Sequence, residues 1–138
     1  MYYCTSVLIQ IYRGGSQVAW NFDDNRSIYI QLIEQIQTLI LTGVYPPGSR
    51  LPAVRELAAE AGVNPNTMQR ALAELENTKL VYSVRTSGRF VTEDAGMLKE
   101  LKKNFAMKEV NEFCRKMKEL GYTNEEIISF IEKSGKDQ

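Results

Sequence analysis

Residues 62–75, GVNPNTMQRALAEL, place Asn64, Asn66, Thr67 and Gln69 at the start of a segment in which Met68, Ala71, Leu72 and Leu75 recur at helical spacing. Short amide and hydroxyl side chains at a helix start have a definite chemistry. They reach base edges, with Asn and Gln suited to adenine N6 and N7. The unsatisfied N–H groups and positive end of the helix favour a phosphate. A plainer reading stands beside this one. Asn64-Pro65 is a good helix start, with an N-cap side chain and proline at N1, and Asn66, Thr67 and Gln69 suit a solvated face. The elements around the stretch have to decide.

Other chemistries find little support. The 138 residues contain no histidine, which removes the commonest general base and metal ligand. Cys4 and Cys114 lie far apart, with neither a disulfide framework nor a metal spacing. A reducing, cytoplasmic setting is therefore expected. No Gly-rich phosphate loop and no carboxylate pair stands out, so the chain does not read as an enzyme, and no cofactor or metal is expected. No apolar run approaches the ~20 residues of a membrane span. The 17 basic and 17 acidic residues cancel, so any pointer to nucleic acid must come from where the charges sit.

The positioning elements follow from periodicity and punctuation. Residues 1–17 end in Gly14-Gly15 and read either as a short strand or as an extension outside the fold. From Ser27, a candidate cap, the residues Ile28, Leu32, Ile33, Ile36, Leu39 and Ile40 mark a first helix that Gly43 stops. Pro52 opens a second, with Val54, Leu57, Ala58 and Ala61 on one face, ended by Gly62. The turn Gly62-Val63-Asn64 then separates it from the third helix at helix-turn-helix spacing. Two β-rich runs, Leu80–Val84 and Arg89–Thr92, flank Arg85-Thr86-Ser87-Gly88 and predict a hairpin with Arg85 and Arg89 at its tip. Leu98, Leu101, Phe105, Phe113, Met117 and Leu120 then form an interrupted stripe along a long helix. Thr123 and Glu126 form a capping box for a last helix carrying Ile127, Ile128 and Ile131.

Helix, helix-turn-helix and hairpin is the order of a winged helix, whose third helix enters the major groove while the hairpin reaches flanking backbone. Placement of charge agrees. Arg55 falls in the first turn of the second helix, Arg70 in the second turn of the third, and Arg85 and Arg89 at the wing.

Residues 46–91, PPGSRLPAVRELAAEAGVNPNTMQRALAELENTKLVYSVRTSGRFV, closely resemble the DNA-binding domain of the GntR family of bacterial transcription regulators. The preceding NRSIYIQLIEQIQTLILTGVY resembles that domain's first helix. The resemblance implies that Arg55 contacts phosphate or base, that Asn64, Asn66, Thr67 and Gln69 occupy the reading positions, and that Thr86, Ser87 and Gly88 form the wing tip. Arg70 rests on charge and position alone. Two departures stand out. Ala53 replaces the serine many members have after Leu-Pro, and Pro65 and Gln69 stand where some members carry arginines, so operator sequences do not transfer.

The expected architecture is mostly α with a small β-hairpin: an extension at 1–17, a winged helix-turn-helix domain at 18–93 and a two-helix dimerisation segment at 94–138. The short tail is similar to that of the YtrA subfamily, in which such a tail serves dimerisation and whose members often regulate transporter operons. A stripe with no further domain to cover it needs a partner, which makes Leu98, Leu101, Phe105, Phe113, Met117, Leu120, Ile127 and Ile131 the candidate dimer residues. The arrangement left open is that the stripe packs back on residues 28–40. A homodimer matches a palindromic double-stranded operator, and repression by promoter occupancy is the expected action. A winged-helix module that binds protein is the alternative. A small-molecule effector at the junction of winged helix and tail stays open, with no residue cluster to define it.

Overall fold

The computed structural model of the protein describes residues 20–136; the extension expected at 1–17 lies outside the described residues. Five helices and one hairpin follow in order: α1 (Ile28–Leu41), α2 (Val54–Ala61), α3 (Pro65–Asn77), β1 (Val81–Val84), β2 (Gly88–Val91), α4 (Ala95–Glu119) and α5 (Asn124–Lys136). The chain divides into two compact units between Lys99 and Glu100.

In the first unit α1 buries Leu32, Ile36, Leu39 and Ile40, as its apolar spacing predicts. Ser27 sits at the N-cap, but its side chain makes no capping bond. The approach to α1 is fixed instead by two glutamines one turn apart. Gln31 accepts from the Asp23 N–H at 2.7 Å and donates to the Asp23 carbonyl at 2.8 Å. Gln35 donates to the Asn21 carbonyl at 2.6 Å and accepts from its N–H at 3.3 Å. Gln31 is buried, and because both ends of its amide are satisfied the burial carries no unpaired-group cost.

α2 starts at Val54, two residues beyond Pro52, and its N-cap Ala53 offers no side-chain bond. Gly62 closes it in the left-handed region at φ 70°, a conformation glycine adopts without steric cost. The Val63 N–H turns back to the Ala58 carbonyl at 3.0 Å. Asn64 then caps α3 by accepting from the Asn66 N–H at 2.8 Å, with Pro65 at the first helical position. Met68, Ala71, Leu72 and Leu75 are fully buried, and α3 packs on both α1 and α2.

β1 and β2 pair antiparallel in the register Val81↔Val91, Tyr82↔Phe90, Ser83↔Arg89 and Val84↔Gly88. Val81 and Val91 are buried while Tyr82 and Val84 on β1 are exposed. The connecting turn is Arg85-Thr86-Ser87, closed by the Ser87 N–H on the Val84 carbonyl at 3.0 Å. Thr86 as well as Gly88 has positive φ, at 72° and 108°. On its other edge β2 is met by residues 48–51, with Leu51 N–H to Arg89 O at 2.8 Å and Val91 N–H to Ser49 O at 2.9 Å.

α4 begins at an Asp94 cap, whose carboxylate accepts from the Met97 N–H at 3.0 Å. Along its whole length no residue is fully buried. In the second unit Gly121 at φ 95° ends the long helix. The expected capping box forms: the Glu126 N–H donates to Thr123 Oγ1 at 3.3 Å and the Thr123 N–H to Glu126 Oε1 at 3.2 Å. Tyr122 and Phe130 meet edge to face at 5.0 Å. Among the described residues, no helix is long and apolar enough to cross a membrane.

The buried stripe of α3 makes a direct demand on stability. Leu72→Ala removes a side chain with no exposed surface and should cost about 2–5 kcal/mol. Val84→Ala on the exposed wing face should stay within about 0.5 kcal/mol. Denaturant midpoints of the two variants measure the difference; equal midpoints would mean that α3 is not the centre of the core.

Candidate nucleic-acid interface

The burial of Met68, Ala71, Leu72 and Leu75 determines which side of α3 faces out. Asn66, Gln69 and Arg70 are exposed on the opposite side, with Asn66 and Arg70 one turn apart; Thr67 is half-buried at the flank. Asn64 is exposed, but its side-chain oxygen is occupied by the Asn66 N–H, which leaves its NH2 group to act outward. Arg55 is exposed in the first turn of α2. Arg85, Thr86, Ser87 and Gly88 are all exposed at the hairpin end.

Arg89 departs from its expected place at the tip. It lies within β2 opposite Ser83, half-buried, and its Nε donates to Glu76 near the end of α3. Ser83 donates to the same Glu76 oxygen at 2.6 Å. The Ser83 hydroxyl foremost, and the Arg89 guanidinium with it, hold the Glu76 carboxyl below the usual glutamate range against the opposing effect of burial. This shared carboxylate ties the wing to α3.

Partnering divides the arginines sharply. Arg26 meets Glu34, Arg89 meets Glu76, and Arg115 meets Glu112 and Glu119. Arg50, Arg55, Arg70 and Arg85 have no carboxylate partner among the described residues, and all four are exposed. Each belongs to the first unit. Arg70 has Glu74 four residues on, but Glu74 is engaged by the Asn77 amide at 3.3 Å, and the Arg70 guanidinium lies 4.8 Å above the ring of Tyr29.

Arg50 was not singled out from the sequence. It forms a bridge with Phe90, and its side chain crosses Gly88, where an added Cβ would come within 3.0 Å of the Arg50 Nε. A turn-like Gly-Ser-Arg-Leu run gives no sign of a third strand, so the only available hint was the glycine at 88.

The candidate dimer residues fall into three groups. Leu98, Leu101, Phe105, Phe113 and Met117 are half-exposed along α4. Leu120 is 73% and Ile131 53% exposed. Ile127, by contrast, is 2% exposed and is spent within its own chain. Among the described residues no cluster of His, Cys, Asp or Glu could hold a metal ion.

Residues 28–91 match the family model of the bacterial regulatory proteins of the gntR family. The uncharacterized HTH-type transcriptional regulator YhcF of Bacillus subtilis (strain 168) is 38% identical over 110 residues, covering 80% of this chain and 91% of that protein. The HTH-type transcriptional repressor YtrA of the same organism is 43% identical over 68 residues, 49% of this chain and 52% of that one. A solved GntR family transcriptional regulator from Listeria monocytogenes is similar with a TM-score of 0.76 at 43% identity, over 81% of this chain and 98% of that one.

The Glu76 junction has a pH signature. A carboxyl whose pKa is depressed by folding contributes stability above its unfolded-state pKa and loses it as pH falls through the folded one. Glu76→Gln should therefore lower Tm near neutral pH and flatten the acid-side fall of Tm between about pH 5 and about pH 3. Superimposable Tm–pH curves for variant and wild type would remove the junction from the stability of the fold.

Proposed function

The chain belongs to the GntR family of bacterial regulatory proteins, with a YtrA-like organisation, and from that premise we propose that this DNA-binding transcriptional regulator works as a homodimeric repressor on a palindromic operator. The observation that carries the reading is the set of exposed arginines without carboxylate partners around α3 and the wing. The other described arginines, Arg26, Arg89 and Arg115, are paired with carboxylates. A guanidinium kept out of internal pairs retains its fork of donors for phosphate.

In this reading α3 enters the major groove. Asn66, Thr67 and Gln69 choose bases, and Asn64 offers its NH2 group to the backbone while its oxygen caps the helix. Arg55 and Arg70 grip phosphates beside the groove. The wing contributes Arg85 with Thr86, Ser87 and Gly88, and Arg50 adds a cation across Gly88. Arg89 keeps the wing in register on α3 through Glu76. Promoter occupancy hinders polymerase in the cytoplasm, and the YtrA-like organisation suggests a transporter operon as the target.

The second unit supports the dimer. Of its residues only Ile127 appears among the buried hydrophobics, while Met107, Val110, Leu120, Tyr122, Ile128, Phe130 and Ile131 are exposed. So much uncovered apolar surface calls for a partner, and a second copy supplies twofold symmetry that a palindrome matches. Leu101, Phe105, Phe113, Met117, Leu120 and Ile131 belong to that surface, Leu98 lies earlier on the same helix, and Ile127 supports it from beneath.

Gel shift and footprinting on the protein's own promoter region, across a salt series, test the reading. A protected near-palindrome with a steep loss of affinity in salt is expected; salt-independent association would favour a protein-binding winged helix. Arg55→Ala should weaken binding to every sequence and reduce the salt slope by about one unit. Gln69→Ala should relax choice at one base pair by about 1–3 kcal/mol. Wild-type affinity for Arg55→Ala throughout the salt series would rule out the docking described. For the dimer, Leu120→Glu with Ile131→Glu alters only exposed positions and should yield a folded monomer in sedimentation. A persistent dimer would move the interface elsewhere.

A further inference from the structure

Arg70 is the one arginine on the outward face of α3, and it is held by an aromatic ring from another helix. Its Cζ stands 4.8 Å from the centroid of Tyr29 in the first turn of α1. The pairing is not imposed by the lack of an alternative. Glu74 lies one turn along α3, at the i,i+4 distance where arginine and carboxylate commonly pair, yet its carboxylate takes the Asn77 amide. A cation over a ring is held by the ring's electrons without an acceptor atom, so the contact takes no carboxylate-type hydrogen bond from the guanidinium. A carboxylate would have consumed N–H donors.

We propose that Tyr29 is a positioning residue for DNA binding: its ring holds the Arg70 guanidinium in one orientation on the exposed face of α3, ready to donate to a backbone phosphate. The proposal rests on the docking of α3 described above and names a residue outside the recognition helix that tunes it. The fold has little use for the stack. α1 and α3 are already joined through fully buried side chains, Leu32 and Ile36 on one helix and Met68, Ala71, Leu72 and Leu75 on the other. An arginine free in solution samples many rotamers and loses that freedom on meeting a phosphate. A ring that restricts it beforehand removes part of the loss while leaving the charge unchanged.

That last point separates positioning from direct contact. Phosphate contacts are read by any sequence, so the probe is a fluorescein-labelled duplex of about 30 base pairs and arbitrary sequence, titrated with the full chain at several salt concentrations. Arg70→Ala should weaken binding and lower the slope of log affinity against log salt by about 0.9, one phosphate contact. Tyr29→Ala should weaken binding by about two- to fivefold at every salt concentration, with the slope of the wild type, because the cation is still present. Tyr29→Phe keeps the ring and should bind like the wild type. In the Arg70→Ala background, Tyr29→Ala should bring no further loss. Thermal melts of both Tyr29 variants report whether the fold is intact, and Tyr29→Phe carries the test if Tyr29→Ala fails to fold. Loss of affinity in Tyr29→Phe would point to the hydroxyl and overturn the proposal. So would additive losses in the double variant, or wild-type affinity for Tyr29→Ala. Wild-type slope and affinity for Arg70→Ala would remove the phosphate contact itself, and a wild-type protein insensitive to salt would remove the docking of α3 altogether.

Discussion

The burial of one stripe on α3 governs the rest of the first unit. Met68, Ala71, Leu72 and Leu75 have no exposed surface, and each fully buried side chain of the larger kind contributes about 1.5–3 kcal/mol of apolar transfer. That contribution is lost if the helix rotates. The rotation of α3 is therefore set from within, and the outward position of Asn66, Gln69 and Arg70 is a consequence of packing rather than a separate design. The turn before α3 works to the same end. Gly62 in the left-handed region and the Asn64 cap start the helix at one residue, so the stripe and the polar face keep their phase.

The wing inherits its position from the same helix. Glu76, one residue before the end of α3, accepts from both Ser83 and Arg89, one on each strand of the hairpin. Residues 48–51 cover the far edge of β2 and bring Arg50 over Gly88. In the proposed docking, a helix and a wing that shared no carboxylate would move separately, and contacts in the groove would then be made independently of contacts to the flanking backbone. Coupling them through Glu76 lets one set of contacts orient the other. Arg89 commits its Nε–H to that link.

Local signals were legible in the sequence, and pairings between distant segments were not. Asn64-Pro65, Gly62 and the Thr123/Glu126 box depend on neighbours within four residues, and each appears where its pattern placed it. The apolar phase of α1, α2 and α3 was readable for the same reason, because helical period is written in the chain. Ser27 shows the limit even locally: its type suits a cap, but the approach to α1 is fixed by Gln31 and Gln35 instead. The arginines mark the wider failure. From charge and position Arg70 and Arg89 looked alike, yet one meets a ring 41 residues earlier in the chain and the other a carboxylate 13 residues earlier. No one-dimensional pattern encodes which cation is spent. Arg50 carries no local signal because its place is fixed by a single bridge to Phe90 of β2. The roles given to the reading residues therefore rest on outward exposure and family likeness together, and geometry alone separates Arg89 from the rest.

The second unit follows a different economy. Ile127 is the one buried hydrophobic residue among those described in this unit, so most of its apolar surface is left uncovered by its own chain. In the proposed dimer a second copy covers that surface, which links the stability of this part to association. That linkage bears on DNA recognition as well. The polar residues at the start of α3 are few, and in the proposed docking one copy would read only a short half-site. In the proposed dimer, two copies joined through their tails would turn the second half-site into an intramolecular encounter, raising its effective concentration to about the millimolar range without any new base contact. On the proposed function, loosening the association of the exposed α4 and α5 faces would weaken operator binding while leaving the contacts of α3 intact, so the apolar tail is a second place, beside the groove, at which binding to DNA could be controlled.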